Sequence, residues 1–220
     1  MNHTEINVFR LTEQETKRLK AAVPAVGATL LLLFLVITCG ETSVTEAAFP
    51  LLFLPLVSLT SFVISMNRAE DLLGDMWFRR SLQIAGAILA ATLAESLPFF
   101  LFFRDWGLNW MPFIVGVILA SAISGLFGAV SGALFPGKGS IASWFAAAFL
   151  QTPSLTGFAL IRHPGLFLLP NQAALDLLDG AFGPLNGIDL MLPLITGTLW
   201  ITAGIFVTVL LRRARTPSRP

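Results

Sequence analysis

The stretch that decides the fold is residues 115–135, which read VGVILASAISGLFGAVSGALF and contain no charged side chain. A mostly apolar run of about 18 or more residues is long enough to cross a hydrocarbon core about 30 Å thick. Within it, small residues recur one helical turn apart, as Ser121 with Gly125 and as Gly128 with Gly132. Such stripes let helix backbones approach closely in lipid. We therefore expect this helix to pack tightly, within the chain or across a dimer, with a pore-lining role as the other interpretation.

Similar apolar runs lie on both sides of this stretch. The 220 residues are 55% hydrophobic and only 12% charged, with a mean hydropathy of +0.78. Soluble domains carry about 25% charged residues, so a soluble fold is excluded. The sequence predicts an all-α integral membrane protein, one domain over residues 1–220, built as a bundle of six transmembrane helices. The predicted spans are about residues 21–39, 47–66, 83–103, 110–135, 141–161 and 188–211.

The Lys and Arg residues predict the orientation of the bundle, because they are retained on the cytoplasmic side. Only Arg104 and Arg162, of the 14 Lys and Arg residues, fall in connections on the other side. The rest lie in the N-terminal segment 1–20, the connections 67–82 and 136–140, and the tail 212–220. We therefore predict a multi-pass protein of the plasma (inner) membrane with both termini in the cytoplasm.

The connection between the second and third spans is the most polar internal stretch. Residues 67–83 read NRAEDLLGDMWFRRSLQ, with the charged residues Arg68, Glu70, Asp71, Asp75, Arg79 and Arg80. Ionic and aromatic groups mixed on a short cytoplasmic helix suit docking into the groove of a partner. The alternative is a solvated loop that carries an orientation signal and an interfacial aromatic belt.

Glu95 is the only acidic residue well inside a predicted span. A charge at the centre of a membrane helix costs about 2.5–3.5 kcal/mol on insertion scales, so such residues usually face a cavity or a partner. The functional hypothesis is a place on the substrate path, by direct contact or by proton handling. The structural alternative is that Glu95 bonds the backbone freed by Pro98, or lies nearer the membrane surface.

The connection before the last span is unusual. Residues 162–187 read RHPGLFLLPNQAALDLLDGAFGPLNG, too apolar for an ordinary loop and too broken by Pro and Gly for a span. Asn171 is placed to cap a short helix over QAALDLLD, which Gly180 would end. We expect one or two short helices that lie in, or dip into, the outer membrane face, since irregular backbone at depth must be covered by protein or water.

The sequence offers no catalytic machinery. Ala129-Val130-Ser131-Gly132 is similar to the nucleophile motif of rhomboid proteases, but a serine nucleophile needs a nearby base. The only histidines are His3 and His163, and neither lies in a predicted span. The single cysteine, Cys39, excludes an intrachain disulfide and a thiolate metal cluster. We therefore predict no catalytic residues, no metal site and no cofactor bound by this chain.

The layout resembles that of the ABC-2 type permease family, the membrane subunits of many ATP-binding-cassette exporters, over nearly the whole chain. LLPNQAALDLLDGAFG, residues 168–183, looks like the family's stretch before the last span, and residues 67–82 stand where the family places its coupling helix. Glu70 precedes Gly74 in the family's Glu-x-x-x-Gly spacing, but no proline follows Arg79–Leu82. Small stand-alone permeases, of the fluoroquinolone-export type or the haem-export type, share this size.

The resemblance implies an export permease that couples to an ATPase on another polypeptide through the charged residues of the 67–82 connection. That ATPase would use the ATP and Mg²⁺, because this chain lacks the phosphate-binding G-x-x-x-x-G-K-[ST] loop. The resemblance further implies pairing with a second permease, as a homodimer or heterodimer, in the lipid bilayer, with no nucleic acid. Two alternatives stay open: an ATPase-independent carrier or channel in which Glu95 carries protons, and a membrane assembly or scaffold protein.

Overall fold

The computed structural model describes residues 42–70, 77–102, 108–135, 141–159, 163–183 and 187–215. This part of the chain is all-helical and contains no strand. Its α-helices are α1 (Thr42–Met66), α2 (Trp77–Phe102), α3 (Trp110–Leu134), α4 (Ile141–Leu150), α5 (Thr152–Phe158), α6 (Gln172–Asp179) and α7 (Gly187–Arg215). Two 3₁₀ helices, Pro164–Leu168 and Gly180–Phe182, flank α6.

Four of these helices are long and apolar enough to cross a membrane, which is compatible with a multi-pass membrane protein. Their candidate spans are Ala48–Met66, Trp77–Phe99, Trp110–Leu134 and Leu190–Ala214. They correspond to the second, third, fourth and sixth predicted spans, although α2 begins at Trp77 rather than at residue 83 and α7 runs on to Arg215. The first predicted span, 21–39, the segment 1–20 and residues 216–220 lie outside the described residues.

The fifth predicted span is broken into two short helices. α4 ends at Leu150, Gln151 forms a turn, and α5 begins at Thr152. Pro153 lies in the first turn of α5, where proline is tolerated. It favours the break, because inside a helix it would lack an N–H donor and would crowd the carbonyl four residues earlier. Within residues 141–159, the predicted span over 141–161 therefore contains two short helices rather than one continuous helix. α4 alone rises about 15 Å, half the thickness of a hydrocarbon core.

The small residues of α3 lie against the backbone of α1. A side chain on Gly128 would collide with the backbone carbonyl of Phe62. A Cβ atom on Gly132 would lie 2.5 Å from the carbonyl oxygen of Met66. The other two small residues of the stripe, Ser121 and Gly125, are also buried. Gly128 and Gly132 thus allow a close approach of α3 to α1 within one chain.

One end of the bundle gathers the end of α1, the start of α2 and the ends of α3 and α7. Ala69 and Ala133 are buried together there, and Leu211 packs against them. The Cζ atom of Arg212 lies 4.9 Å from the ring centroid of Trp77. We call this the Ala69 end. The described residues of the connection 67–82 and of the tail 212–220 therefore meet at one end, as the distribution of Lys and Arg predicts; the cytoplasmic placement of that end stays a prediction.

The opposite end is closed by aromatic rings. Phe49 and Phe53 of α1 stack with ring centroids 5.0 Å apart, and Phe53 also stacks on Phe113 of α3. Phe99 of α2 is fully buried against both rings of α1. We call this the phenylalanine end. The segment 163–183 joins it, since Phe182 packs edge-on to Phe49.

The α1–α3 contact predicts a sharp difference between two glycine substitutions. Gly128→Ala should destabilise the protein by about 1–3 kcal/mol, because the added methyl meets backbone that cannot move aside. Gly86→Ala is the matched control: a Cβ atom on Gly86 of α2 meets nothing within 4 Å. Thermal unfolding in mild detergent measures both. Equal melting temperatures for the two variants would contradict the packing described here.

Candidate functional site

The break between α4 and α5 coincides with the start of α6, and Asn171 joins them. Its side chain is fully buried, and its Nδ2 atom lies 3.2 Å from the carbonyl oxygen of Leu150, the last residue of α4. The same atom lies 2.9 Å from Oγ of Ser58 in α1 and 3.1 Å from Oγ of Ser124 in α3. One amide thus ties the segment before the last helix to α1, α3 and α4.

The structure corrects the predicted role of Asn171. The predicted helix forms over Gln172–Asp179 and is followed by Gly180, with Asn171 at the N-cap position. The Asn171 side chain, however, makes no capping hydrogen bond. It points into the bundle instead, where the two N–H donors of its amide are shared among three buried oxygen acceptors. Asn171 thus forms a buried polar cluster with the hydroxyls of Ser58 and Ser124 and the carbonyl of Leu150.

The Asn171 contacts lie deep in the bundle. Counting along each helix at 1.5 Å per residue, Ser58, Ser124 and Leu150 are each about 12–15 Å from the Ala69 end. A hydrocarbon core about 30 Å thick that the four long helices crossed would have its midplane at about this depth. Ala173, Ala174, Leu175, Leu177 and Leu178 of α6 are all buried. The short helix therefore packs inside the bundle rather than on its outer surface.

Several polar side-chain atoms around the break have no hydrogen-bond partner among the residues that the structure describes. They are both amide atoms of Gln151, the hydroxyl of Ser154 and Oε1 of Gln172. An unpaired buried polar group costs about 1–3 kcal/mol. Unpaired groups gathered at a break in a membrane helix are a candidate functional site, because discontinuous helices line binding sites in many transporters.

Glu95 is the second buried polar position. It is 6% exposed, and its Oε1 accepts a hydrogen bond from Oγ1 of Thr60 in α1 at 2.5 Å. Its Oε2 is buried and has no partner within the described part of the chain. Among the described residues, Glu95 therefore bonds Thr60 of the neighbouring helix α1 and not the backbone that Pro98 frees. Thr60 follows Ser58 by two residues, so Glu95 and Asn171 lie at similar depths against α1.

The predicted coupling residues are divided by the structure. Glu70, Arg79 and Arg80 are exposed and Arg68 is half-buried, all near the Ala69 end. Arg79 and Arg80 belong to the first turn of α2 rather than to a separate connection. The two aspartates, Asp71 and Asp75, lie outside the described residues. Three charged side chains of this set are therefore open to a partner, close to the Trp77–Arg212 contact.

Sequence reasoning missed Gln151, Ser154, Thr60 and the interior role of Asn171. Two signals were present: Pro153 within an apolar run, and an asparagine within an otherwise apolar segment. Neither one reveals that residues 150 and 171 touch. Among the described residues, no group of three His, Cys, Asp or Glu side chains could hold a metal ion.

Comparisons with known proteins do not add a family. No family model, curated protein or solved structure matches this chain. The resemblance to ABC-2 type permeases accordingly stays a prediction from the sequence layout.

Asp176 of α6 is the titratable group with the clearest environment outside the membrane-spanning helices. Its pKa is raised from 3.8 to about 6, mainly by burial and in smaller part by the nearby charge of Asp179. A hydrogen bond from Nε2 of Gln172, 2.7 Å from Oδ1, acts in the opposite direction and lowers the pKa. The folded state therefore binds this proton more tightly than the unfolded state. Its stability must fall as the pH rises from about 4 to about 6.

Asp176→Asn should remove that fall. The variant keeps an oxygen acceptor for Gln172 and has no proton to lose, so above pH 6 it should exceed the wild type in stability by about 3 kcal/mol. Melting temperatures in detergent between pH 4.5 and 8 provide the measurement. Parallel curves for variant and wild type across that range would show that Asp176 is not buried as described.

Proposed function

We propose that this chain is the membrane-spanning permease subunit of an ATP-driven exporter whose ATPase is a separate polypeptide. The proposal combines the layout of the sequence with one structural observation. An exposed ionic surface, made by Glu70, Arg79 and Arg80, lies directly on the helices that surround the buried polar sites. A partner that binds this surface would contact the start of α2 and the residues that follow α1.

The contacts at the Ala69 end supply the mechanical link. Trp77 contacts Arg212 of α7, and Ala69 packs with Ala133 of α3 and with Leu211. A push on the 67–82 connection would therefore reach α3 and α7 together. α3 carries Ser124, which accepts a hydrogen bond from Asn171 at 3.1 Å. Displacing α3 would disturb the helix break, which is coupling by rigid-body rearrangement.

The same arrangement accommodates a two-fold assembly. Two permeases would pair, as a homodimer or heterodimer, with two ATPases that bind ATP and Mg²⁺, since such assemblies are usually symmetric. Exposed apolar residues cover much of α2 and α7, for example Leu93 at 60% and Leu199 at 63%. Lipid and a second permease would share these faces, and cargo would pass between the permeases.

The proposal predicts that reversing the acidic charges of the connection separates the chain from its ATPase. Glu70→Lys, Asp71→Lys and Asp75→Lys together should abolish co-purification of an ATP-binding-cassette subunit in mild detergent, while the permease still inserts and folds. Asp179→Lys, an exposed reversal at the phenylalanine end, is the control. An unchanged ratio of ATPase to permease in the triple variant would refute docking at this surface.

One observation favours a second function, that of an ATPase-independent carrier. Glu95 is buried with its Oε2 unpaired within the described part of the chain, which is the environment of a residue that takes up and releases a proton or binds a cation. In liposomes that hold this chain alone, the carrier hypothesis predicts transport driven by a pH gradient. The permease hypothesis predicts none.

Glu95→Gln tests whether this side chain takes part in transport, under the exporter hypothesis and the carrier hypothesis alike. Gln keeps the acceptor for Thr60 and removes the charge, so assembly should be intact. Substrate selectivity and the pH dependence of transport should change at least several-fold. Unchanged transport at every pH would assign Glu95 to structure alone.

A further inference from the structure

We propose that the break between α4 and α5, with the start of α6, is a binding site for a neutral amide-type group of a small solute. The site consists of Gln151, Ser154 and Gln172, with Asn171 as its floor. The inference names a ligand class for the proposed transport path and, in its use by the cell, rests on that function. The binding itself does not require the ATPase.

The residues that carry the unpaired atoms are brought near one another by one contact. The amide nitrogen of Asn171 lies 3.2 Å from the carbonyl oxygen of Leu150. Gln151 and Gln172 are the next residues along the chain from these two, and α5 contacts α6. Ser154 lies three residues after Gln151, and residues three apart share one face of a helix. Ser154 is 2% exposed, so its unpaired hydroxyl is held in the interior.

The chemistry of these atoms defines the ligand. Gln151 presents an unpaired donor, Nε2, beside an unpaired acceptor, Oε1. Ser154 can donate or accept, and Oε1 of Gln172 accepts. A ligand that satisfies them must offer both a donor and an acceptor side by side, as a primary amide or a urea does. A carboxylate lacks the donor, and an alkylammonium lacks the acceptor.

Charge also favours a neutral ligand. The side chains that make up the site are all uncharged. Asp176, one turn beyond Gln172, already accepts the Gln172 Nε2 hydrogen bond at 2.7 Å. An anion at this depth would be repelled by the Asp176 carboxylate, and a cation would have to compete with Gln172 for it; either ion would bear a desolvation cost of several kcal/mol. An amide would instead gain the hydrogen bonds that the buried glutamine lacks.

The test uses the full chain in lipid nanodiscs and small probes of similar size. Acetamide should show saturation-transfer NMR signals from the wild type, whereas acetate and tetramethylammonium should not. Gln151→Leu and Ser154→Ala should each lose at least most of the amide signal. Gln83→Leu, at an exposed position of α2, should keep it.

The variants also report on folding, so a lost signal can be interpreted. Removing an unpaired buried amide relieves its desolvation cost, so Gln151→Leu should melt at the same or a higher temperature than the wild type. Absence of amide signal in the wild type would mean that water alone occupies the site and would overturn the proposal. Equal binding of acetate, or full amide signal in both site variants, would overturn it as well. A missing ATPase partner would leave these results unaffected, so the two proposals fail separately.

Discussion

The architecture depends on the buried amide of Asn171. Its nitrogen reaches oxygens of Ser58, Ser124 and Leu150 within 2.9–3.2 Å, and these belong to three different helices. In a low-dielectric interior, hydrogen bonds that are satisfied together hold strongly, and a missing one is costly. The amide therefore fixes how far the segment 163–183 enters the bundle. It also compensates the carbonyl at the end of α4, which has no continuing helix to accept from.

This constraint explains why a broken helix is stable at membrane depth. Backbone that is not helical must be covered by protein or water in the hydrocarbon region. α6 supplies the cover: Gly116 of α3 lets the carbonyl of Ala174 and the side chain of Leu178 approach, since an added Cβ would lie 3.1 Å from each. Close approach of α1 and α3, through Gly128, brings Ser58 and Ser124 near enough to share one partner. The close helix contact at Gly128 and the hydrogen bonds of Asn171 therefore depend on each other.

The sequence predicts the long helices well because their signal is additive over many residues. The apolar runs predicted the four long helices. The Lys and Arg bias predicted that the connection 67–82 and the tail lie at the same end of the bundle. Trp77 and Arg212, which belong to these two segments, are in contact there. The sequence predicts the interior poorly because its signal is pairwise. Pro153 breaks a helix that hydropathy alone treats as continuous. The partners of Asn171 are separated from it by 113, 47 and 21 residues, and no local pattern encodes such contacts. Glu95 stood out as a lone acid, whereas its partner Thr60 did not stand out among ordinary span residues.

The measurement that tests this account most directly is a disulfide between α6 and the last helix. The Cβ atom of Ala173 lies 3.6 Å from an ideal Cβ on Gly197, which is within the range for a disulfide. In a Cys39→Ala background, Ala173→Cys with Gly197→Cys should form a bond on mild oxidation, detected as linked peptides by mass spectrometry. Ala173→Cys with Thr202→Cys, an exposed position further along α7, should not. A cysteine at 173 that instead links to one at Met191, near the start of α7, would place α6 at the surface and contradict the buried segment on which the account depends.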